Sequence, residues 1–364
     1  MARPTLAEVA RLAGVSPSTA SLTFSGTGPV SAATRERVLA AAQELGFTGP
    51  DPLARSLRRG RSGVIGVVAH GELALHLRDP VGIRTIDGIA DALDAHDRGM
   101  LLIRAGADPV AHWANVAPGV DEPVAPGPGL AAQAAMDAAI FLHGPDLDDP
   151  VVRALVARGV PVVLMESVAP DVSSVVVDDA KGLAELARRV RRAGHERVAF
   201  VTLPWSWPAR PGLRDDLEVA LGAPRWTSER MAGLLAGGIE PVAVYETRGS
   251  LVEEGFEAAK ALLALPEPPT AIMALSDLLA AGVVLAAREA GLRIPEDLSV
   301  TGFDGVDLPW LAPDVLESVE QPAVRKGQLA SELAIAMSRG EEPRQVVLEV
   351  TPRPGTTLGP APRR

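Results

Sequence analysis

Between residues 5 and 46 the apolar positions recur at helical spacing, and after residue 62 they gather into unbroken runs. Leu6, Val9, Ala10 and Ala13 stand at i, i+3, i+4 and i+7, the stripe of an amphipathic helix. Thr5 and Glu8 form a T-x-x-E capping box at its start, and Gly14 supplies a turn. Ser16 then reads as an N-cap with Pro17 at the first position of a second helix running to about Phe24. Ala20 and Phe24 face inward there, which leaves Pro17, Ser18, Ser21 and Leu22 on the outer side. A third helix begins at Ser31, places Val38, Leu39, Ala42 and Leu45 inward, and stops at Gly46. Helical spacing alone fits a small bundle or a dimerisation head as well as anything else. The A-x-L-A-G-V-S stretch, with a cap after the glycine, favours a helix-turn-helix.

From residue 64 onward, runs of Val, Ile and Leu without polar alternation predict strands buried on both faces. They fall at 64–69, 100–105, 138–144, 161–167, 174–178, 197–203, 241–246, 270–275 and 298–304. Helical segments lie between most of them, at Thr85–Arg98, Asp149–Arg158, Lys181–Ala193, Leu251–Leu265 and Asp277–Glu289. Strand and helix in alternation predict a parallel, doubly wound sheet. Nine strands exceed one compact sheet, so two lobes are expected, with a ligand cleft at the carboxyl ends of the strands.

Charge divides the chain differently from its average. The 364 residues carry a formal net charge of −11. Residues 1–62 hold eight Arg against four acids, and the remainder 27 basic against 42 acidic residues. A small basic head can meet a polyanion while the acidic body stays soluble. Within the head, Asp51 and Pro52 can open a helix ending near Gly60 that is too short to stand alone in water. Ala54 and Leu57 share one face of it, among Arg55, Arg58, Arg59 and Arg61. An apolar wedge flanked by arginines suits insertion into a minor groove; a plain basic linker is the other reading. The chain has no cysteine, so disulfides and thiolate metal sites are excluded. Its first residues have no apolar stretch resembling a signal peptide, and no apolar run is long enough to span a bilayer, which points to a cytoplasmic protein.

Three stretches in order, "TLAEVARLAGVSPSTAS", "VSAATRERVLAAAQELGF" and "PDPLARSL", resemble the LacI family of bacterial transcription regulators. The similarity continues through "VSSVVVDDAKGLAELARRVRRAGHERVAFV" and "PTAIMALSDLLAAGVVLAAREAGLRIPEDLSVTGFDGVD". The resemblance implies a helix-turn-helix domain over 1–48, a hinge helix over 49–62, and a two-lobed, periplasmic-binding-protein-like α/β effector domain over 63–358. The lobes are expected at about 63–165 with 295–322, and at about 166–294 with 323–358. It further implies a homodimeric repressor on near-palindromic double-stranded DNA, with helix 17–24 in each major groove and the two 52–58 helices in the central minor groove. Thr5, Ser16, Pro17, Ser18, Ser21 and Leu22 would contact DNA, with Ala54, Arg55, Leu57 and Arg58 from the hinge. Many relatives carry arginine where Leu22 stands, so weaker guanine preference is expected. The Pro-rich tail cannot form the leucine-repeat helix of the tetrameric members, so a dimer is expected.

For the effector, a small sugar or related metabolite, the candidates are polar residues at strand ends: Glu166, Ser276, Asp277 and Asp304. Carboxylates and amides accept paired hydrogen bonds from neighbouring hydroxyls. Asp277 reads equally as a helix cap. The family usually carries an arginine after the strand at 197–203; here Arg210, Arg214 or neither fills that role. Trp205 and Trp207 either stack on a sugar or cover the lobe's edge. "VAPGVDEPVAPGPG", residues 116–129, reads as a loose loop. No nucleophile elbow, phosphate loop or zinc motif occurs, and "DLDD" at 146–149 reads as a helix start. No enzyme activity, metal or cofactor is therefore expected. A sugar-binding protein without a DNA role, and a purine- or nucleoside-responsive regulator of the same architecture, are the alternatives.

Overall fold

The computed structural model describes residues 4–26, 28–49, 60–70, 73–105, 129–142, 149–206 and 209–362, with the side chains of residues 74 and 75 excepted. The hinge expectation at 52–58, with Ala54, Arg55, Leu57 and Arg58, lies outside the described residues. So do Trp207, most of the 116–129 stretch and residues 146–148. The chain separates into two compact units, Met1–Gly63 and Val64–Arg364.

In the head, α1 (Leu6–Ala13), α2 (Pro17–Ser25) and α3 (Ala32–Leu45) follow the capping residues closely. The Thr5 hydroxyl accepts from the Glu8 N–H, and the Glu8 carboxylate accepts from the Thr5 N–H at 2.7 Å. Gly14, at φ 65°, turns the chain so that the Val15 N–H reaches back to the Ala10 carbonyl at 3.0 Å. Val9, Ala10, Ala13, Ala20, Val38, Ala41 and Ala42 form the small core. Phe24 packs edge-on against Phe47, centroids 5.4 Å apart. Leu39 and Leu45, expected inside, are exposed; the inward stripe of α3 is Val38, Ala41 and Ala42 instead.

The second unit holds two sheets. The first is all parallel in the order β12-β5-β4-β3-β1-β2: β1 (Val64–Ala69), β2 (Gly99–Arg104), β3 (Ala138–Phe141), β4 (Val162–Met165), β5 (Ser173–Val177) and β12 (Gln345–Leu348). The second has the order β10-β9-β6-β8-β7: β6 (Val198–Thr202), β7 (Gly212–Arg214), β8 (Ala243–Glu246), β9 (Ala271–Ala274) and β10 (Ser299–Thr301). Only its edge strand β7 is antiparallel. A short pair, β11 (Ser318–Glu320) with β13 (Thr351–Arg353), completes the strands among the described residues. Buried Val, Ile, Leu and Ala fill the space between each sheet and its helices.

This pairing corrects the expected division of the lobes. The strand at 299–301 pairs with β9 in the second sheet, not with the first. The helix Ala323–Ser338 packs against the first sheet, and β5 and β12 belong to it as well. The chain therefore crosses between the lobes at 177–179, 320–323 and 348–351. Strand partnership is non-local, and a run of valines does not say which sheet it joins. The helix expected from Thr85 starts earlier, at Pro80, because Asp79 caps it by accepting from the Val81 and Gly82 N–H groups at 3.1 and 3.2 Å.

The helices Pro80–Ala95 and Ala323–Ser338 approach backbone to backbone. A Cβ on Gly88 would collide with the Val324 carbonyl, and one on Gly327 with the Thr85 carbonyl. Gly88→Ala should force the pair apart and cost about 1–3 kcal/mol of stability, read as a lowered urea midpoint. An unchanged midpoint would show that the two helices separate without penalty.

Candidate functional site

The head presents one face of α2. Pro17, Ser18 and Leu22 are exposed and Ser21 is half-exposed, while Ala20 and Thr23 are buried behind them. Ser16 caps the helix: its hydroxyl accepts from the Thr19 N–H at 3.1 Å. Arg35 of α3 donates to the Thr23 carbonyl at 3.2 Å and ties the helix to the rest of the head. At this exposed helix start Pro17 has no N–H and the Thr19 N–H is taken by the Ser16 hydroxyl, so few backbone donors remain there for a phosphate oxygen. The outward side chains are short and carry no charge, so base-edge contact from Leu22 would be apolar.

The second unit contains a cavity of about 550 Å³. Its walls come from both lobes: Asp79, Thr85, Leu142, Glu166 and Lys326 from the first, and Trp226, Arg230, Ser250, Ser276 and Asp304 from the second, with Gln321 on a crossing segment. Of the sequence candidates, Glu166, Ser276 and Asp304 line it; Asp277, Trp205, Arg210 and Arg214 do not. Ser276 is the N-cap of the helix Asp277–Glu289, accepting from the Leu279 N–H at 3.2 Å and receiving the Ser250 hydroxyl at 2.8 Å.

The four that miss the cavity each have another task. Asp277 is clasped from behind, accepting from the Val306 N–H at 2.7 Å and the Ser318 hydroxyl at 2.6 Å. Trp205 lies in the core of the second lobe, its indole N–H donating to Thr202 Oγ1 at 2.7 Å. Arg214 stacks on that ring, 4.7 Å from its centroid, and pairs with Asp216 and the fully buried Glu246. The Trp205 and Arg210 backbone N–H groups also turn toward Glu246, at 2.9 and 3.4 Å. Trp205, Arg210 and Arg214 are thus gathered around Glu246 near the sheet's edge.

The arginine in the cavity is Arg230, on the helix Arg225–Ala236. Its Nε donates to Asp179 at 2.8 Å and its Nη1 to the Leu275 carbonyl at 2.6 Å. Its Nη2 lies 3.6 Å from Asp304, and the guanidinium sits 4.1 Å over the Phe303 ring. On the other side, Lys326 pairs with Glu166 and donates to Gln321 Oε1 at 2.7 Å, while the Gln321 amide donates to Asp304 at 2.7 Å. One polar chain therefore runs Glu166–Lys326–Gln321–Asp304–Arg230–Asp179 and crosses from lobe to lobe. The sequence did carry a signal for both cations. Arg230 stands with buried Thr227, Met231 and Leu234 at i−3, i+1 and i+4, and Lys326 with Ala323, Gly327 and Ala330 in the same pattern. A charge inside an apolar helical stripe needs a buried partner.

Electrostatics inside the cavity follow from burial. Desolvation lifts the Asp304 carboxyl to about 8 against the pull of Arg230, and Asp277 and Asp79 add to the rise. Desolvation also lifts Asp179 to about 6 against the same arginine, with Glu166 adding to the rise. Asp79 is raised by burial too. Glu166 and Asp304 both adopt positive φ, 63° and 120°, a strained backbone that places their carboxyls at the cavity wall.

The consequence for stability has a definite sign. Asp304 titrates near 3.8 when unfolded and near 8 when folded, so the folded chain holds the extra proton between those values. Stability should then fall as pH rises through that window. Asp304→Asn removes this contribution. The loss of urea resistance between about pH 5 and pH 8 should be smaller in the variant; an equal loss in both proteins would show that Asp304 titrates normally.

Residues 5–49 match the family model described as bacterial regulatory proteins, lacI family, and residues 187–357 match the periplasmic binding protein-like domain. The HTH-type transcriptional regulator Rv3575c of Mycobacterium tuberculosis is 32% identical over 366 residues, covering 98% of each chain. Among solved structures, the transcriptional regulator CelR–cellobiose complex superposes with TM-score 0.63 at 26% identity, covering 98% of this chain and all of that one. The lac repressor dimer bound to operator and the anti-inducer ONPF shares the fold, with TM-score 0.76 at 24% identity over 98% of this chain and 100% of that one. No helix among the described residues is long and apolar enough to cross a membrane, and no group of three or more His, Cys, Asp or Glu among them could hold a metal ion. With its helix-turn-helix head, its two parallel-sheet lobes and a relative of this identity along nearly its whole length, the chain belongs to the LacI family of DNA-binding transcriptional regulators, which are not enzymes.

Proposed function

We propose that the protein is a repressor whose hold on DNA is set by a small sugar or related polyol bound between its lobes. The observation that carries this is the cavity of about 550 Å³ with the polar chain through it. Its volume is within the usual range for small-ligand sites. Carboxylate, amide and guanidinium groups set close together match the paired hydroxyls of a sugar, and the Trp226 ring offers an apolar face beside them. The CelR complex with cellobiose supports a sugar in this architecture.

On DNA, we read the protein as a cytoplasmic homodimer on a near-palindromic operator. The lac repressor, whose fold it shares, is a dimer on its operator. Two-fold symmetry in the protein then requires two-fold symmetry in the site. Pro17, Ser18 and Leu22 read bases; Thr5, Ser16 and Ser21 position the helix on the backbone. Ala54, Arg55, Leu57 and Arg58 are proposed to complete the contact in the minor groove. Ligand shifts the balance between two lobe arrangements, and that balance reaches the DNA through the hinge.

Two experiments test this reading. Melting temperature recorded with a panel of mono- and disaccharides, polyols and nucleosides should show a shift of several degrees for at least one sugar or polyol, since a ligand at 100 times its Kd adds about 2.7 kcal/mol. A response to nucleosides alone would replace the sugar reading by a nucleoside one. Selection from randomised operators should recover no strictly required guanine opposite residue 22, and Leu22→Arg should introduce one, worth about 1–3 kcal/mol of discrimination. A required guanine already present with Leu22 would remove this helix face from base reading.

A further inference from the structure

The two buried cations of the cavity are both already matched by carboxylates. The Lys326 side chain is 3% exposed and its ammonium is held by Glu166 and Gln321. The Arg230 side chain is 6% exposed and its guanidinium is held by Asp179, with Asp304 at 3.6 Å. The third cation on the wall, Arg78, is solvent-exposed. Three further carboxylates, Asp79, Glu253 and Glu254, face the same space. Glu254 is paired with Arg248 at 3.5 Å. The lining is therefore acidic on balance, and Asp304 already relieves part of that excess by holding a proton up to about pH 8.

An anionic ligand entering this space would have to draw Lys326 or Arg230 away from its carboxylate, and a stranded buried carboxylate is costly. It would also meet the remaining acids at short range with little water between them. Hydroxyl groups avoid both penalties. Each donates to a carboxylate and accepts from a guanidinium or ammonium without adding net charge.

We propose that the effector is an uncharged polyhydroxylated molecule, and that the pairing of Lys326 with Glu166 and of Arg230 with Asp179 makes the cavity reject phosphorylated and carboxylated sugars. This rests on the reading of the cavity as the effector site. It narrows that reading from sugars in general to those without a phosphate or acid group.

The test uses the full-length protein and thermal melting at constant ionic strength. Each neutral sugar is paired with its phosphate ester and its uronic acid. Stabilisation should come from the neutral member of a pair, and a phosphate ester or uronate that stabilises more than its parent overturns the proposal. A second arm uses inorganic phosphate, which decides charge selectivity whatever the effector is. Wild type should show no saturable response. Glu166→Gln, which leaves Lys326 without its carboxylate, should gain a saturable phosphate response at concentrations at least tenfold below the highest at which wild type shows none, and adding Lys326→Met should remove the gain. A saturable phosphate response in wild type that Lys326→Met abolishes, or no gain in Glu166→Gln, contradicts the proposal. If no compound in the sugar panel binds while the phosphate arm behaves as expected, the effector reading fails and the charge selectivity stands.

Discussion

The buried guanidinium of Arg230 is the constraint on which the cavity depends. A charge this far from water must be matched in place. Matching it brings together Asp179 at a crossing segment, the Leu275 carbonyl at the end of β9, Phe303 beneath it and Asp304 beside it. Three separate stretches of the chain are thereby fixed against the helix that carries Arg230. Through Asp304 and Gln321 the same network reaches Lys326 and Glu166 in the first lobe.

The position of that network places the cavity beside the segments that connect the lobes. Asp179 and Gln321 stand on two of the three segments that connect the lobes, and the third is tied to the first by the Asp178 N–H donating to the Leu348 carbonyl at 2.9 Å. Under the proposed function, a ligand that hydrogen-bonds to the chain of polar groups would act at the segments that connect the lobes. Packed cores and interfaces tend to switch between discrete arrangements rather than deform smoothly, so a small change at such segments can move whole lobes.

The head was readable in the sequence because its determinants are local. A threonine–glutamate box, a glycine at positive φ and a serine–proline start act within four residues of themselves, and α1 and α2 begin and end where those signals place them. Nine strands were readable for the same reason, as apolar runs between glycines and prolines; the short β7, β11, β12 and β13 were not. What was not readable is partnership. Residues 299–301 and 323–338 were assigned to each other's lobe because partners 28 residues away for the strand and more than a hundred away for the helix leave no local trace. Arg210 and Arg214 were candidates because they follow β6 closely; with Trp205 they gather around Glu246 instead, and the cavity's arginine comes at position 230. Glu166, Ser276 and Asp304 could be placed on the cavity wall from the sequence because strand ends face the cleft in a doubly wound sheet. Arg230 and Lys326 were missed although each interrupts an apolar helical stripe.

The measurement that bears most directly on this account is operator affinity of the full-length protein, by fluorescence anisotropy, with and without a saturating sugar that raises its melting temperature. If cavity and DNA surface are coupled through the lobes, affinity should change by about 5- to 150-fold, corresponding to 1–3 kcal/mol of coupling. The operator should change sugar affinity by the same factor. An operator affinity unaltered by saturating sugar would mean that the polar chain between the lobes holds the structure together without transmitting anything to the DNA.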